Sequence, residues 1–304
     1  MGKDASLACP SSGNSVWSED CLVANVFTTY LPKPDSSAAP VLRPVMLWIH
    51  GGGFTSGSGL DPKWSGGQLA SRSDVVVVAP NYRLGYLGFA AFDQTFAGNY
   101  GLADIVTALQ WVKQNIKSFG GDPENVTIFG QSAGANIVAA LLASPKAQGL
   151  FHAAVVQSGW PLDSYTAKPS VSDVASTTIA SAASAGCRSG NVASVVNCLR
   201  GKSASAFLNL QSTKLLVDGK YVINRQLDVK APGQATGFVN RVPLMMGSMR
   251  EELGSLGTVP KTGLSLQNSL AAAGVSAANI NTVLSNPSIF PVPNTSNGIQ
   301  NLSV

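Results

Sequence analysis

Histidine is almost absent: the 304 residues hold two, His50 and His152. That scarcity, with no CxxC pair, excludes the usual ligand sets of a zinc site and leaves any serine chemistry short of its usual base. Charge is sparse as well. Charged residues make up 12% of the chain, against roughly 25% in an average soluble domain, and Ser, Thr, Asn and Gly stand in their place, as on an extracellular surface. The twenty basic and sixteen acidic residues are scattered. No run of Lys or Arg tracks a phosphate backbone, so nucleic acid is excluded as a partner. No stretch approaches the roughly 20 apolar residues of a membrane span, so no stable membrane insertion is expected. The opening "MGKDASLACPSSGNS" lacks the apolar region of an export signal.

What is present is a long core with an alternating pattern. "VMLWI" (45 to 49) and "VVVVA" (75 to 79) are short, continuously apolar and rich in β-branched residues, as buried parallel strands are. Between them and "AAVVQSG" (153 to 159) lie helix-period segments. In one, Leu102, Ile105, Val106, Leu109, Trp111, Val112 and Ile116 build a wide apolar face. "VTIF" (126 to 129) reads as a further strand, "ANIVAALLAS" as a helix closed by Pro145, and "VPLMMGS" (242 to 248) as one more buried strand. Strands joined by crossover helices predict an α/β fold around a mostly parallel sheet. Residues 163 to 240 are less regular, with an Ala/Ser-rich helical stretch near 171 to 186. Residues 285 to 304, rich in Pro, Asn and Ser, read as a flexible tail.

Two motifs carry chemistry. "GQSAG" (130 to 134) fits G-x-S-x-G between a predicted strand and a predicted helix, the context that turns a serine into an exposed nucleophile at a helix's positive end. Read alone, the same serine could merely cap that helix. "HGGGF" (50 to 54) follows the strand 45 to 49 directly, so its bare amides lie on the same rim. The N–H groups of Gly52, Gly53 and Ala133 can then converge on one oxygen as an oxyanion hole.

These pieces resemble the type-B carboxylesterase family, the group of carboxylesterases, cholinesterases and fungal lipases, and a fungal-type member above all. The match runs in order through "SEDCLVANVF" (18 to 27), "HGGGF", "APNYRLGYLGF" (79 to 89), "GNYGLADIVTALQWVKQNIKSFGGDPENVTIFGQSAG" (98 to 134), "VVQSG" (155 to 159) and "VPLMMGSMREELG" (242 to 254). The resemblance implies an α/β-hydrolase fold with helices flanking the sheet, one partial domain over residues 1 to 304, incomplete at both termini. It implies ester hydrolysis by Ser132, with Gly52, Gly53 and Ala133 as oxyanion donors, no cofactor, no metal and a small-molecule ester as substrate. Glu252 aligns with the family's acid, with Glu251 as the alternative because Met249 and Leu253 replace the usual neighbours. Arg83 and Asp104 match a structural ion pair, and Gln131 stands where many relatives carry Glu.

The family's histidine lies downstream of the acid, and here none follows Glu252. His50 belongs to the loop scaffold. His152, at the start of the strand 153 to 157, sits about 16 Å from the catalytic rim at roughly 3.3 Å per residue. The expected activity is therefore reduced, and the second reading is a non-catalytic fragment or a binding protein on the same fold.

Four cysteines form two local pairs, Cys9 with Cys21 and Cys187 with Cys198. They read as disulfides in a secreted protein or as thiols in a reducing one. The family resemblance favours disulfides and an extracellular setting, and the "CLR" ending at 198 to 200 matches its second bridge. Family lipases carry a lid between the first two cysteines. The eleven residues 10 to 20 leave no room for a large one, which favours a soluble short-chain ester. The sequons at Asn294 and Asn301 fall in the tail, whereas Asn125 leads into a strand expected to be buried.

Overall fold

The computed structural model describes residues 7–33, 41–159, 170–188, 191–210, 215–223 and 238–248, the strand residues 228–229 and 235–236, and positions 277, 281 and 285. The chain divides into two compact units, Met1–Pro161 with Lys168–Met246, and Leu162–Ala167 with Gly247–Val304. The first carries the sheet, apart from its last residue Gly247, together with "GQSAG" and "HGGGF". Of the expected tail 285 to 304, only Ser285 is among the described residues.

Six strands form the main sheet: β1 (Ala24–Phe27), β2 (Arg43–Ile49), β3 (Val76–Pro80), β4 (Gly121–Gln131), β5 (Ala153–Gln157) and β8 (Leu244–Gly247), in the order β1-β3-β2-β4-β5-β8. A separate two-stranded ladder pairs β6 (Asp228–Val229) with β7 (Ala235–Thr236). The pairs β2 with β3, β2 with β4 and β4 with β5 are parallel, while β1 runs antiparallel to β3. The crossovers contain α1 (Gly67–Ser73), α3 (Tyr100–Asn115) and α4 (Ala133–Leu142), and a short helix α2 (Gly85–Phe89) precedes α3.

The continuous apolar runs follow from burial on both faces of the sheet. In β3, Val76 and Val78 join the main core with Val45, Leu47 and Ile49, whereas Val77 packs with Ala70 of α1, Met46 and Phe27. Alternate side chains point to opposite faces, so a strand covered on both sides has no position left for a polar residue. The α3 face delivers Leu102, Ile105, Leu109 and Val112 into that core, each contributing about 1.5–3 kcal/mol relative to exposure. Trp111 departs from the expected face. It is 37% exposed and lies against Phe119 at 5.7 Å between ring centroids, because position 111 falls at the border of the helical stripe.

Two strand expectations need correction. The strand read as 126 to 129 begins at Gly121. Its register against β2 shifts between Arg43 and Val45, so the turn-like "GDPEN" (121 to 125) is absorbed into an irregular ladder, and Asn125 within it is exposed. The strand read as buried at 242 to 248 is β8, where Met245 is 69% and Met246 is 43% exposed. Among the described residues it is the last strand in the sheet order, and apolar residues are buried only where another layer covers them.

Beyond β5, α5 (Val171–Ser184) opens on a capping box between Ser170 and Asp173. It packs with α6 (Val192–Arg200) around Ala182, Cys187, Val195, Leu199 and Phe207, against Tyr86 and Phe92. Both cysteine pairs are bonded, Cys9 to Cys21 and Cys187 to Cys198, with Cα separations of 5.0 Å and 5.7 Å.

Candidate active site

β4 passes into α4 through Ser132, whose backbone sits at φ 54° and ψ −123°. A side-chain-bearing residue in such a region costs of order 1–3 kcal/mol, and the surroundings hold it there. The Ser132 N–H donates to Gln157 O at 3.0 Å, and its carbonyl accepts from Asn136 N at 3.0 Å. The turn is tight because its glycines leave no room. A Cβ on Gly134 would stand 2.0 Å from Ile49 O, and one on Gly130 would stand 2.6 Å from the Gly134 carbonyl carbon. The Ser132 hydroxyl makes no capping bond to α4, which removes the plain capping role the motif alone left open. It sits at the N-terminus of a ten-residue helix, where developing negative charge is favoured.

The glycine loop lies against this turn. A Cβ on Gly51 would be 3.2 Å from Ser132 Cβ and 2.8 Å from Gln131 O, so only a bare backbone fits beside the serine. Gly52 at φ 111° and Gly53 at φ 63° turn the chain through conformations open to glycine. The Gly52 carbonyl gathers Thr55 N and Ser56 N at 3.0 Å and Ser56 Oγ at 3.0 Å, which closes the turn from below. Phe54 is buried against Phe89 at 5.0 Å, and its carbonyl accepts from Gly85 N at 2.7 Å. Gly52 and Gly53 themselves are exposed, and neither N–H has a hydrogen-bond partner among the described residues. The N–H of Ala133, first residue of α4, has no acceptor within its helix.

Neither histidine is bonded to the serine among the described residues. His50 is 1% exposed, stacks on Tyr82 at 4.3 Å and bonds through Nδ1 to Gly51 O at 2.8 Å. Its Nε2 is buried without a partner among the described residues. Burial drives its pKa down to about 4, against a smaller upward pull from the Gly51 bond and Asp61. His50 is thus a neutral scaffold residue at neutral pH, and neither ring nitrogen is bonded to Ser132. His152 lies at the start of β5. There Nδ1 accepts from Val126 N at 3.2 Å, and Nε2 stands 4.0 Å from Glu124. Glu251 and Glu252 lie outside the described residues. Arg83 and Asp104 form a two-pronged ion pair, Nε to Oδ2 at 2.8 Å and a terminal nitrogen to Oδ1 at 2.7 Å, with Asp104 Oδ2 also accepting Arg83 N at 3.0 Å. The pair ties the chain after β3 to α3.

The structure adds support that the motifs did not reveal. Asn81, at the end of β3, accepts from Ser58 Oγ and Gly59 N at 2.9 Å and donates to Leu7 O and Cys21 O at 3.1 and 3.0 Å. Asn14, inside the disulfide loop, accepts from Gly57 N at 3.0 Å and donates to Gly57 O at 3.2 Å and Cys9 O at 3.0 Å. Nothing in "SSGNS" signals this role, since it arises only when that loop docks on one about forty residues away in sequence.

A mostly parallel sheet with a strained serine elbow at a strand's C-terminal end and a glycine loop beside it defines an α/β hydrolase. The chain belongs to the carboxylesterase family, whose sequence model matches residues 3–272. It is similar to the para-nitrobenzyl esterase of Bacillus subtilis strain 168, 49% identical over 145 residues, covering 47% of this chain and 28% of that protein. Human cocaine esterase is 39% identical over 247 residues, covering 80% of this chain and 42% of its own. Acetylcholinesterase of Gallus gallus is 39% identical over 232 residues, covering 70% and 29%. The chain thus spans well under half the length of these relatives.

Proposed function

We propose that the chain acts on carboxylic esters through an acyl-enzyme on Ser132. The observation that carries this reading is the Ser132 elbow, strained, uncapped and packed against the bare Gly51 backbone. Ser132 Oγ adds to the ester carbonyl carbon and gives its proton to a base. The oxyanion is held by the amides of Gly52, Gly53 and Ala133, a group in which one donor alone is worth about 10²–10³ in turnover. The carbon–oxygen bond to the alcohol then breaks, the alcohol leaves with a proton, and water cleaves the acyl-serine to carboxylic acid and free Ser132. Glu252, or Glu251, is the acid that would orient a histidine base.

Neither His50 nor His152 is bonded to Ser132, so with these two histidines alone the proton passes to solvent. Loss of an essential triad member costs about 10⁶ in turnover, while the oxyanion hole and binding retain about 10³–10⁴ over water. The eleven residues between Cys9 and Cys21 and the similarity to esterases favour a soluble, short-chain ester over an oil interface. Two disulfides and sparse surface charge fit an extracellular setting.

Steady-state hydrolysis of a short-chain p-nitrophenyl ester by the chain and by Ser132→Ala tests the reading. Turnover far below the ordinary 1–10³ s⁻¹ or so, yet above the mutant's, is expected. A rate untouched by Ser132→Ala removes the serine from the chemistry. The second reading, a non-catalytic fragment or a binding protein on the same fold, draws on the bonding of His50 and His152 away from Ser132, and equal background rates for both proteins would favour it.

A further inference from the structure

The loop carrying Gly52 and Gly53 is held at points along its course, and one of these holds comes from outside the motifs. At its near end the His50 ring bonds the Gly51 carbonyl at 2.8 Å. At its far end Gly57, at φ 98°, is so close to the His50 ring and Gly51 O that a Cβ would stand 2.6 Å and 2.7 Å from them. The position of Gly57 therefore sets where Gly51, and with it the first oxyanion amide, can lie.

Asn14 fixes Gly57. Its carboxamide meets the N–H and the carbonyl of that one residue at 3.0 and 3.2 Å, as a neighbouring strand would, and its third bond reaches Cys9 O at 3.0 Å. The loop that presents Asn14 is itself rigidly closed. Cys9 is bonded to Cys21, Ala8 bridges Trp17, Ser18 N donates to Ala8 O at 3.1 Å, and Asn81 holds Cys21 O from the sheet. Next to Asn14, Gly13 N donates to Thr55 O at 3.2 Å, and a Cβ on Gly13 would stand 2.4 Å from Ser56 Cβ. The disulfide loop thus docks against both halves of the turn below Gly52.

We propose that Asn14 is a positioning residue for the oxyanion hole, clamping the Gly52 and Gly53 amides through Gly57 from the Cys9–Cys21 loop. The inference rests on the ester-hydrolase reading for its chemical meaning. The clamp itself is geometric. An oxyanion donor works only when fixed before the charge develops, and the N–H groups of Gly52 and Gly53, exposed and without a hydrogen-bond partner among the described residues, depend on their neighbours for that fixity.

The test compares the full chain with Asn14→Ala and Asn14→Asp by two readings. The first is the ¹⁵N relaxation order parameter of the Gly52 and Gly53 amides, which is near 0.85 for rigid backbone and below about 0.6 for flexible backbone. The second is the rate at which a p-nitrophenyl alkylphosphonate labels Ser132, followed by intact mass over hours so that a slow nucleophile is still readable. Wild type is expected to be rigid at both glycines. In Asn14→Ala they loosen towards 0.6, the β2 and β3 amides stay unchanged, and labelling slows at least about tenfold. Asn14→Asp keeps an acceptor for Gly57 N–H but loses both donations, and falls between. Glycines already mobile in wild type, unchanged in Asn14→Ala, or loosened only together with β2 and β3 overturn the clamp. Should Asn14→Ala fail to fold, Asn14→Asp decides by the same readings. Absence of Ser132 labelling in wild type defeats the hydrolase reading instead, and the relaxation result still judges the clamp.

Discussion

At the residue scale, the two best-defined groups beside Ser132 are a buried scaffold imidazole and a glycine with no space around it. His50 is kept neutral in the fold, with its pKa pushed down to about 4 by burial, whereas in the unfolded chain it protonates near 6.5. The unfolded state therefore binds the extra proton first. Stability from this residue is intact above about pH 6.5 and is lost as pH falls through the window down to about 4, by about 3 kcal/mol in all. Urea unfolding at pH 7.5, 5.5 and 4.5 should show His50→Asn losing less stability than wild type across that range. Equal losses would mean that His50 is not held neutral by the fold. At Gly134 a methyl group would stand 2.0 Å from Ile49 O, a contact with backbone that cannot swing away. Gly134→Ala is expected to cost about 3 kcal/mol, the upper part of the range for overpacking. It should remove Ser132 reactivity, and a variant of wild-type stability would show that the elbow relaxes freely.

At the scale of elements, the α5–α6 layer depends on its bridge. Cys187 and Cys198 join the end of α5 to α6 at a sequence separation of 11, a loop whose closure is worth about 3 kcal/mol in the chain-entropy account. Replacing both by serine should lower hydrogen-exchange protection of Val195 to Leu199 by that amount and leave β2 and β3 unchanged. Loss of protection in the sheet as well would mean that the layers unfold together. The same scale shows what the sequence makes legible. The runs 45 to 49 and 75 to 79 were readable because burial on both faces leaves an unbroken apolar string. Ser132 and the loop 50 to 54 were readable because a tight elbow and a bare-amide turn both demand glycine at fixed spacing. The start of β4 was hidden, since a register shift lets turn-forming residues pair as a strand. The exposure of β8 was hidden too, because hydrophobicity states a preference and not the presence of a cover. Asn14 left no trace, as its partner Gly57 is 43 residues away and their meeting depends on how two loops dock.

At the scale of the whole molecule, sparse charge governs how copies meet. A net charge of +4 at pH 7 over 304 residues gives weak mutual repulsion, and it vanishes near the isoelectric point of about 8.9. The described surface also carries apolar side chains that repulsion would otherwise keep apart. Val41 is 79% exposed, Met245 69% and Leu31 63%, and Met245 lies on β8, the last strand in the sheet order among the described residues. Strand edges with apolar residues and few charges pair readily with other chains. Raising the pH from 7 to 9 should therefore lower the second virial coefficient measured by static light scattering, with association strongest near pH 9. Met245→Lys adds a positive charge and removes an apolar one of these side chains, so it should raise the coefficient at pH 7 and move the minimum to higher pH. A coefficient flat between pH 7 and 9 would show that net charge does not control association. A Met245→Lys protein with wild-type behaviour would show that the β8 edge takes no part in it.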